Sequence, residues 1–104
     1  MKLTSEQVSA LRHHIPLDNG EQIVRIEISG KEPLPKTELN ANIYRIDQSF
    51  NIIWQIQSPP PPFDLDPFVH LGRHGDKILA YRFSGFEYVV NDKTGAATQI
   101  DWHK

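Results

Sequence analysis

The chain has no cysteine among its 104 residues. Disulfide frameworks, thiolate nucleophiles and cysteine-ligated zinc or iron–sulfur centres are therefore excluded. Lysine and arginine never form a run, and the formal net charge is −2. Because nucleic-acid-binding domains usually carry a strongly basic face, we expect no nucleic acid among the partners.

Long apolar stretches and clustered glycines are also missing. No segment approaches the roughly 20 apolar residues of a membrane span, and the first residues lack the apolar stretch of a signal peptide. These features predict a cytoplasmic protein with no membrane partner. The six glycines are scattered singly, so we expect no phosphate-binding loop and no cofactor.

The composition that remains is that of one folded domain, which we predict over residues 1–104. Hydrophobic residues make up 38% and charged residues 23% of the chain, which are ordinary values for a globular protein. Near the start, residues 4–14 are predicted to form a helix. Thr4 and Gln7 have the spacing of a capping box, and Pro16 stops the apolar stripe that follows.

Alternation of apolar and polar residues predicts a series of short strands separated by turns. Chains with short sequential turns form antiparallel neighbours. The predicted fold class is therefore α+β and mostly β, with one N-terminal helix packed on a twisted antiparallel meander sheet of five to seven strands. The predicted strands are residues 22–29, 42–47, 51–57, 68–72, 77–84, 86–91 and 97–102.

One face of that sheet is predicted to collect the bulky side chains, which would need a cover from the helix, from curling of the sheet or from a partner. The predicted members are Tyr44, Ile46, Ile52, Trp54, Ile56, Leu79, Tyr81, Phe83, Phe86, Tyr88 and Val90.

Two segments resemble the repeat unit of quinoprotein-type β-propellers. Residues 42–54 contain Tyr44-Arg45-Ile46-Asp47, a turn and then Ile52-Ile53-Trp54, and residues 77–95 end in the turn Asp92-Lys93-Thr94-Gly95. The resemblance implies strand-and-turn repeats in which Trp54 and Trp102 pack at strand ends. Phe50 departs from it, because a glycine is expected at that turn position. A chain of 104 residues holds two blades at most, whereas a ring needs at least four.

The most unusual local feature is a proline run. Pro59, Pro60, Pro61 and Pro62 favour a polyproline II stretch, which Phe63 follows. This segment is either a stiff connection between strands or an exposed arm that contacts a partner. Arg45 and Arg82 are predicted on the solvent side of their strands, where they could recognise an acidic partner.

A second candidate site combines histidines with carboxylates. His70 and His74, with Asp64 or Asp66, could form a small-molecule or enzymatic site at the open end of the sheet. A metal site of His70, His74 and His103 is geometrically conceivable, but the four-residue spacing loses its meaning outside a helix. Ser84 lacks the Gly-x-Ser-x-Gly context of a hydrolase. We therefore predict no catalytic and no metal-ligating residue.

These observations favour a non-enzymatic protein-binding protein. Its small size and slightly acidic charge are similar to those of small bacterial immunity proteins, which bind secreted toxins. Two alternatives stay open. One is the small-molecule binder or enzyme described above, and the other is a structural subunit of a homo-oligomer that pairs through residues 97–102. The expected state is a monomer or a homodimer with a possible protein partner.

Overall fold

The fold begins with a short helix, α1 (Ser5–Ser9), in a computed structural model that describes residues 1–100. The predicted capping box is confirmed. Thr4 Oγ1 accepts a hydrogen bond from Gln7 N at 3.1 Å, and Gln7 Oε1 accepts one from Thr4 N at 2.8 Å. The helix ends far earlier than the predicted residue 14.

The second half of the predicted helix is instead a strand, β1 (Leu11–Pro16). It pairs antiparallel with β2 (Gln22–Ile26). The helix prediction was wrong because a thin apolar stripe gives a helix little to bury, whereas strand pairing satisfies the backbone groups of the segment. Pro16 is tolerated because β1 lies at a sheet edge.

The first sheet has four strands in the order β1-β2-β3-β4. Strand β3 spans Ile43–Ile46 and β4 spans Ile52–Gln55. A one-turn helix, α2 (Lys36–Leu39), lies between β2 and β3. All pairings in this sheet are antiparallel.

The second sheet has the same simple order, β5-β6-β7-β8, and is also antiparallel. Its strands are β5 (Phe68–His74), β6 (Lys77–Arg82), β7 (Glu87–Val90) and β8 (Ala97–Gln99). The last two residues of the strand predicted at 97–102 lie outside the described part of the chain.

The mostly β, antiparallel character of the fold is thus confirmed, but the single sheet of five to seven strands is wrong. Strand β4 does not pair with β5, because the connection between them carries Pro59–Pro62 and Pro67. Proline has no N–H to donate, so this connection cannot extend a ladder. One parallel bridge, between Gln57 and Ala96, still joins the two halves.

The two sheets bury a common core. Residues from seven of the eight strands or their ends pack in it, and its members are Ile15, Ile23, Ile43, Trp54, Ile56, Phe68, Leu71, Ile78, Ala80, Tyr88 and Val90. A smaller cluster covers the opposite face of the first sheet, beneath α1, with Leu3, Val24, Ile26, Tyr44 and Ile46.

The prediction that the bulky residues share one face is wrong in both sheets. Tyr44 and Ile46 lie in the smaller cluster, whereas Trp54 lies in the common core. The register between β3 and β4 shifts after Arg45, so a strict two-residue count does not carry across the hairpin.

In β6 the buried side chains are Ile78, Ala80 and Arg82. The predicted set of Leu79, Tyr81 and Phe83 lies on the outer side, and Phe83 is 77% exposed. Arg82 can be buried on the inner side because its guanidinium finds hydrogen-bond acceptors in the interior.

Within residues 1–100, no helix is long and apolar enough to cross a membrane.

Candidate protein-binding surface and the Arg82 cavity

The side chain that organises the candidate site is Arg82, at the end of β6. It is only 2% exposed. Its guanidinium carbon lies 4.3 Å from the centroid of the Phe68 ring and 5.3 Å from that of Tyr88. A guanidinium stacks well on aromatic faces, which offsets part of the cost of its burial.

Arg82 holds both ends of the proline segment. Its Nη1 donates to the carbonyl oxygen of Asp66 at 2.6 Å, and its Nη2 donates to Ser58 Oγ. Both ends of residues 58–66 are therefore held by the same buried cation. The expectation that Arg82 faces solvent is wrong, and its interior role makes the segment a closed loop.

Four further hydrogen bonds, two of Asn40 and two of Ser84, tie this loop to the rest of the fold. Asn40, which follows α2, accepts a hydrogen bond from Asp66 N at 2.7 Å and donates to the Asp64 carbonyl oxygen at 2.8 Å. The Asp66 carboxylate accepts from Ser84 N at 2.9 Å and from Ser84 Oγ at 2.6 Å. The loop is thereby fixed against the β6–β7 hairpin.

The loop and the hairpin tip each expose large apolar side chains. Phe83 N donates to the Pro67 carbonyl oxygen at 2.9 Å, so the hairpin tip lies beside the end of the loop. We call the exposed apolar residues of the loop and the hairpin the aromatic surface, since three of the four are phenylalanines. Its members and their exposed fractions are Phe63 (61%), Leu65 (37%), Phe83 (77%) and Phe86 (39%).

Under the proline segment lies a cavity of about 260 Å³. Pro59, Pro60 and Pro61 line it together with the buried Arg82. The remaining lining residues are Thr37, Asn40, Ala41, Ile56, Gln57 and Ser58. Of the predicted binding residues, the structure therefore brings three prolines and Arg82 together.

Arg45 lies elsewhere and is not free to face solvent. Its Nε donates to Glu21 Oε1 at 2.7 Å and its Nη1 donates to the Asp92 carbonyl oxygen at 2.8 Å. Its side chain is 16% exposed. Arg45 thus links a turn of the first sheet to a turn of the second.

The histidines and carboxylates of the second candidate site do not converge. The Asp66 carboxylate accepts hydrogen bonds from Ser84. The Asp64 side chain is 91% exposed, and its carboxylate lies 3.9 Å from Lys36 Nζ. His70 packs against His13 and Tyr81, with ring centroids 5.1 and 5.4 Å away. In the part of the chain that the structure describes, no three metal-ligating side chains form a group. His103 lies outside that part.

A second cavity, of about 330 Å³, opens between α1 and the segment before α2. Tyr44 and Leu34 contribute to its apolar lining, and Glu6, Glu32 and Glu38 make it acidic. Burial raises the pKa of the Tyr44 hydroxyl, and the charge of Glu38 adds to that effect. Sequence reasoning missed this cavity because residues 30–41 have no period that would assign their faces.

Sequence reasoning also missed the buried polar residues that connect the two sheets. Asn42 is 1% exposed and donates to the carbonyl oxygens of Ile26 and Phe68 at 2.7 and 2.9 Å. Its Oδ1 accepts from Phe68 N at 2.9 Å. An asparagine at a strand start carries no signal for such a role, because its partners are far away in the sequence.

The comparisons with known proteins give a family without an activity. Residues 5–102 match the model of a family described as "Domain of unknown function (DUF7957)". No curated protein and no solved structure matches the chain. The resemblance to propeller repeats therefore stays a prediction.

Proposed function

The chain belongs to the DUF7957 family, and from its surface we propose that it is a non-enzymatic protein-binding domain of the immunity type. The observation that carries the proposal is the exposure of Phe63 and Phe83, at 61% and 77%, on a fixed part of the fold. Aromatic side chains are enriched in the centres of protein interfaces and dominate their energetics.

The rigidity of the support strengthens this interpretation. Binding a mobile loop costs the free energy of ordering it, whereas a loop that is already ordered avoids much of that cost. Here Arg82 fixes the ends of residues 58–66, and Asp66 fixes the hairpin tip through Ser84. The hairpin tip that carries Phe83 and the ends of the loop that carries Phe63 are thus ordered in advance of any encounter.

The chemistry of the surface indicates what the partner must offer. Four apolar side chains need an apolar recess, and Asp64 with Lys36, 3.9 Å apart and both exposed, adds charges of both signs beside them. A net charge of −2 is compatible with such a partner. The cysteine-free composition favours a cytoplasmic setting for the interaction.

The test is a binding experiment with two matched substitutions. The chain is used as bait in the source cell, bound proteins are cross-linked to it, and the cross-linked residues are mapped by mass spectrometry. The affinity of the identified partner is then measured by calorimetry. We expect Phe83→Ser to weaken binding by about 30-fold, the loss typical of an interface hot spot of about 2 kcal/mol.

Ile53→Ser is the control, because Ile53 is also exposed, at 48%, but belongs to the first sheet. It should leave the affinity unchanged. Equal affinities for wild type and Phe83→Ser would refute the proposed surface. A Phe83-dependent dimer in sedimentation equilibrium would assign the surface to self-association instead of a different protein, and repeated recovery of bare monomer would reject protein binding.

A further inference from the structure

We propose that the cavity beneath the proline segment is a binding site for a carboxylate group, with Arg82 as its cationic residue. This inference concerns the interior of the loop. It does not depend on whether the aromatic surface binds a protein.

The first argument is the hydrogen-bonding capacity of Arg82. A guanidinium has five N–H donors and accepts nothing. In the structure Nε donates to the Tyr88 hydroxyl at 3.1 Å, Nη1 donates to the carbonyl oxygens of Asn40 and Asp66, and Nη2 donates to Ser58 Oγ. These bonds use four donors. The fifth, on Nη2, has no acceptor in the part of the chain that the structure describes, so it is available to a group that enters the cavity that Arg82 lines.

The second argument is charge. Every acceptor of Arg82 is a neutral oxygen, and none of the ion pairs within 4.0 Å among residues 1–100 includes it. The nearby Asp66 carboxylate accepts from Ser84 instead. A buried cation without a direct counter-ion is costly, so an anion that enters the cavity gains a strong partner.

The third argument is the shape and lining of the cavity. Its volume of about 260 Å³ lies just below the range typical of pockets that bind drug-sized ligands. Ile56, Ala41 and the prolines give apolar walls, and Thr37 and Gln57 supply polar groups at its border. A single buried cation suits a singly charged group. The ligand class is therefore a carboxylate on a short apolar chain, either a free acid or the carboxylate of a peptide.

The experiment is a titration of the nitrogen-15-labelled chain followed by nuclear magnetic resonance, with sodium propionate as the probe. We expect saturable shifts of the Arg82 Nε–H signal and of the Gln57 and Ser58 amide signals. Propionamide has the same shape without the charge, and sodium chloride controls for ionic strength. Equal shifts with propionamide or chloride, or shifts that do not saturate, would overturn the proposal.

A peptide arm distinguishes the two sources of the carboxylate. Short peptides are compared with a free and with an amidated C-terminus. Binding of the free-acid peptide at least tenfold tighter than propionate assigns the site to a peptide carboxylate. If the free-acid peptide binds less than tenfold tighter than propionate, the site is assigned to a small acid. Either result supports the carboxylate class.

A substitution at the border of the cavity tests the site without removing Arg82, whose loss could unfold the chain. Thr37→Glu places an internal carboxylate beside the cavity, and Thr37→Gln has the same length without the charge. We expect Thr37→Glu to weaken propionate binding about tenfold, by competition for one cation, and Thr37→Gln to change it little. Equal loss in both variants would show a steric effect and contradict the assignment to Arg82.

Discussion

At the scale of single residues, Phe50 is the clearest case of local strain. Its φ is 64°, and it is the sole non-glycine residue with a positive φ in residues 1–100. The comparison with propeller repeats anticipates a glycine at this turn. An L residue in this conformation costs roughly 1–2 kcal/mol, because its Cβ lies too close to a neighbouring carbonyl oxygen.

We therefore expect Phe50→Gly to be more stable than Phe50→Ala by about 1 kcal/mol. Both variants lose the same partly exposed ring, so their difference isolates the backbone term. Urea unfolding of the two proteins measures it. A glycine variant no more stable than the alanine variant would show that the turn is relaxed in spite of its dihedral angle.

His13 makes stability depend on pH. Burial lowers the pKa of its imidazole, and the charges of Arg25 and His70 lower it further. Its Nδ1 accepts a hydrogen bond from Arg25 Nε at 2.8 Å, which requires that nitrogen to be unprotonated. The unfolded chain, with an ordinary histidine pKa near 6.5, therefore binds the proton more readily than the folded chain.

It follows that His13 contributes stability above about pH 6.5, and that this contribution is lost as the pH falls through the lower pKa of the folded state. We expect the free energy of unfolding to decrease between pH 7.5 and 5.5, and to decrease less in His13→Gln. Urea midpoints across this range measure both slopes. Parallel slopes would mean that His13 titrates alike in the folded and unfolded chain.

Arg82 shows where sequence reasoning fails at this scale. Alternation predicts that residue 82 shares a face with Ile78 and Ala80, and this is correct. The charge of Arg82 suggests that this face is exposed to solvent, and this is wrong. The decision depends on acceptors that lie 16 to 42 residues away in the chain, such as Asp66 and Asn40. Nothing local to Arg82 reports them.

At the scale of elements, the turn before β8 is packed against the other sheet. Trp54 Nε1 donates to the Asp92 carbonyl oxygen at 2.8 Å. A Cβ added to Gly95 would lie 2.7 Å from the Trp54 ring. This glycine is needed both for its φ of +80° and for the close approach of the tryptophan.

We expect Gly95→Ala to destabilise the protein more than Gly75→Ala. Gly75 also has a positive φ, of +64°, but a Cβ there meets nothing within 4 Å. Gly75→Ala should therefore cost only the backbone term of about 1 kcal/mol. Thermal unfolding compares the two, and equal losses would show that Trp54 moves aside without cost.

The elements themselves were predictable wherever alternation was strong and turns were clear. The strands near residues 43–46, 77–82 and 87–90 fall inside predicted ones. The N-terminal helix was predicted too long, because Val8, Leu11 and Ile15 satisfy a helical period by coincidence. Residues 11–16 form a strand because β2 pairs with them, and the local sequence pattern gives no sign of that partner.

At the scale of the whole molecule, the two sheets share one core, so we expect them to unfold together. Leu71 of β5 is 3% exposed and packs in that core. Leu71→Ala should lower the free energy of unfolding by about 3 kcal/mol. The slowest-exchanging amides of β2 and β3 should lose protection by the same amount as those of β6 and β7.

Hydrogen exchange measured residue by residue tests this expectation. Val8→Ala is a suitable comparison, because Val8 packs on the smaller cluster and not on the common core. Loss of protection confined to β5–β8 in Leu71→Ala would show two independently unfolding halves instead of one cooperative unit.

The division into two sheets could not be derived from the sequence, although its cause is visible there. The sequence predicts a stiff connection or an exposed arm at the proline run, and it predicts strands on either side of it. Whether such a connection bends one sheet or separates two depends on how the faces pack. That packing is decided by Asn42, Arg82 and Trp54, whose partners are distant in the sequence.

The closed loop at residues 58–66 has a consequence for protein engineering. Its two ends are anchored from within the core by one guanidinium, so the chain between them can grow without disturbing either sheet. Doubling the length of a closed loop adds only about 0.6 kcal/mol of closure entropy. A foreign peptide grafted between Pro60 and Pro61 should therefore be displayed with a melting temperature within a few degrees of that of the parent chain.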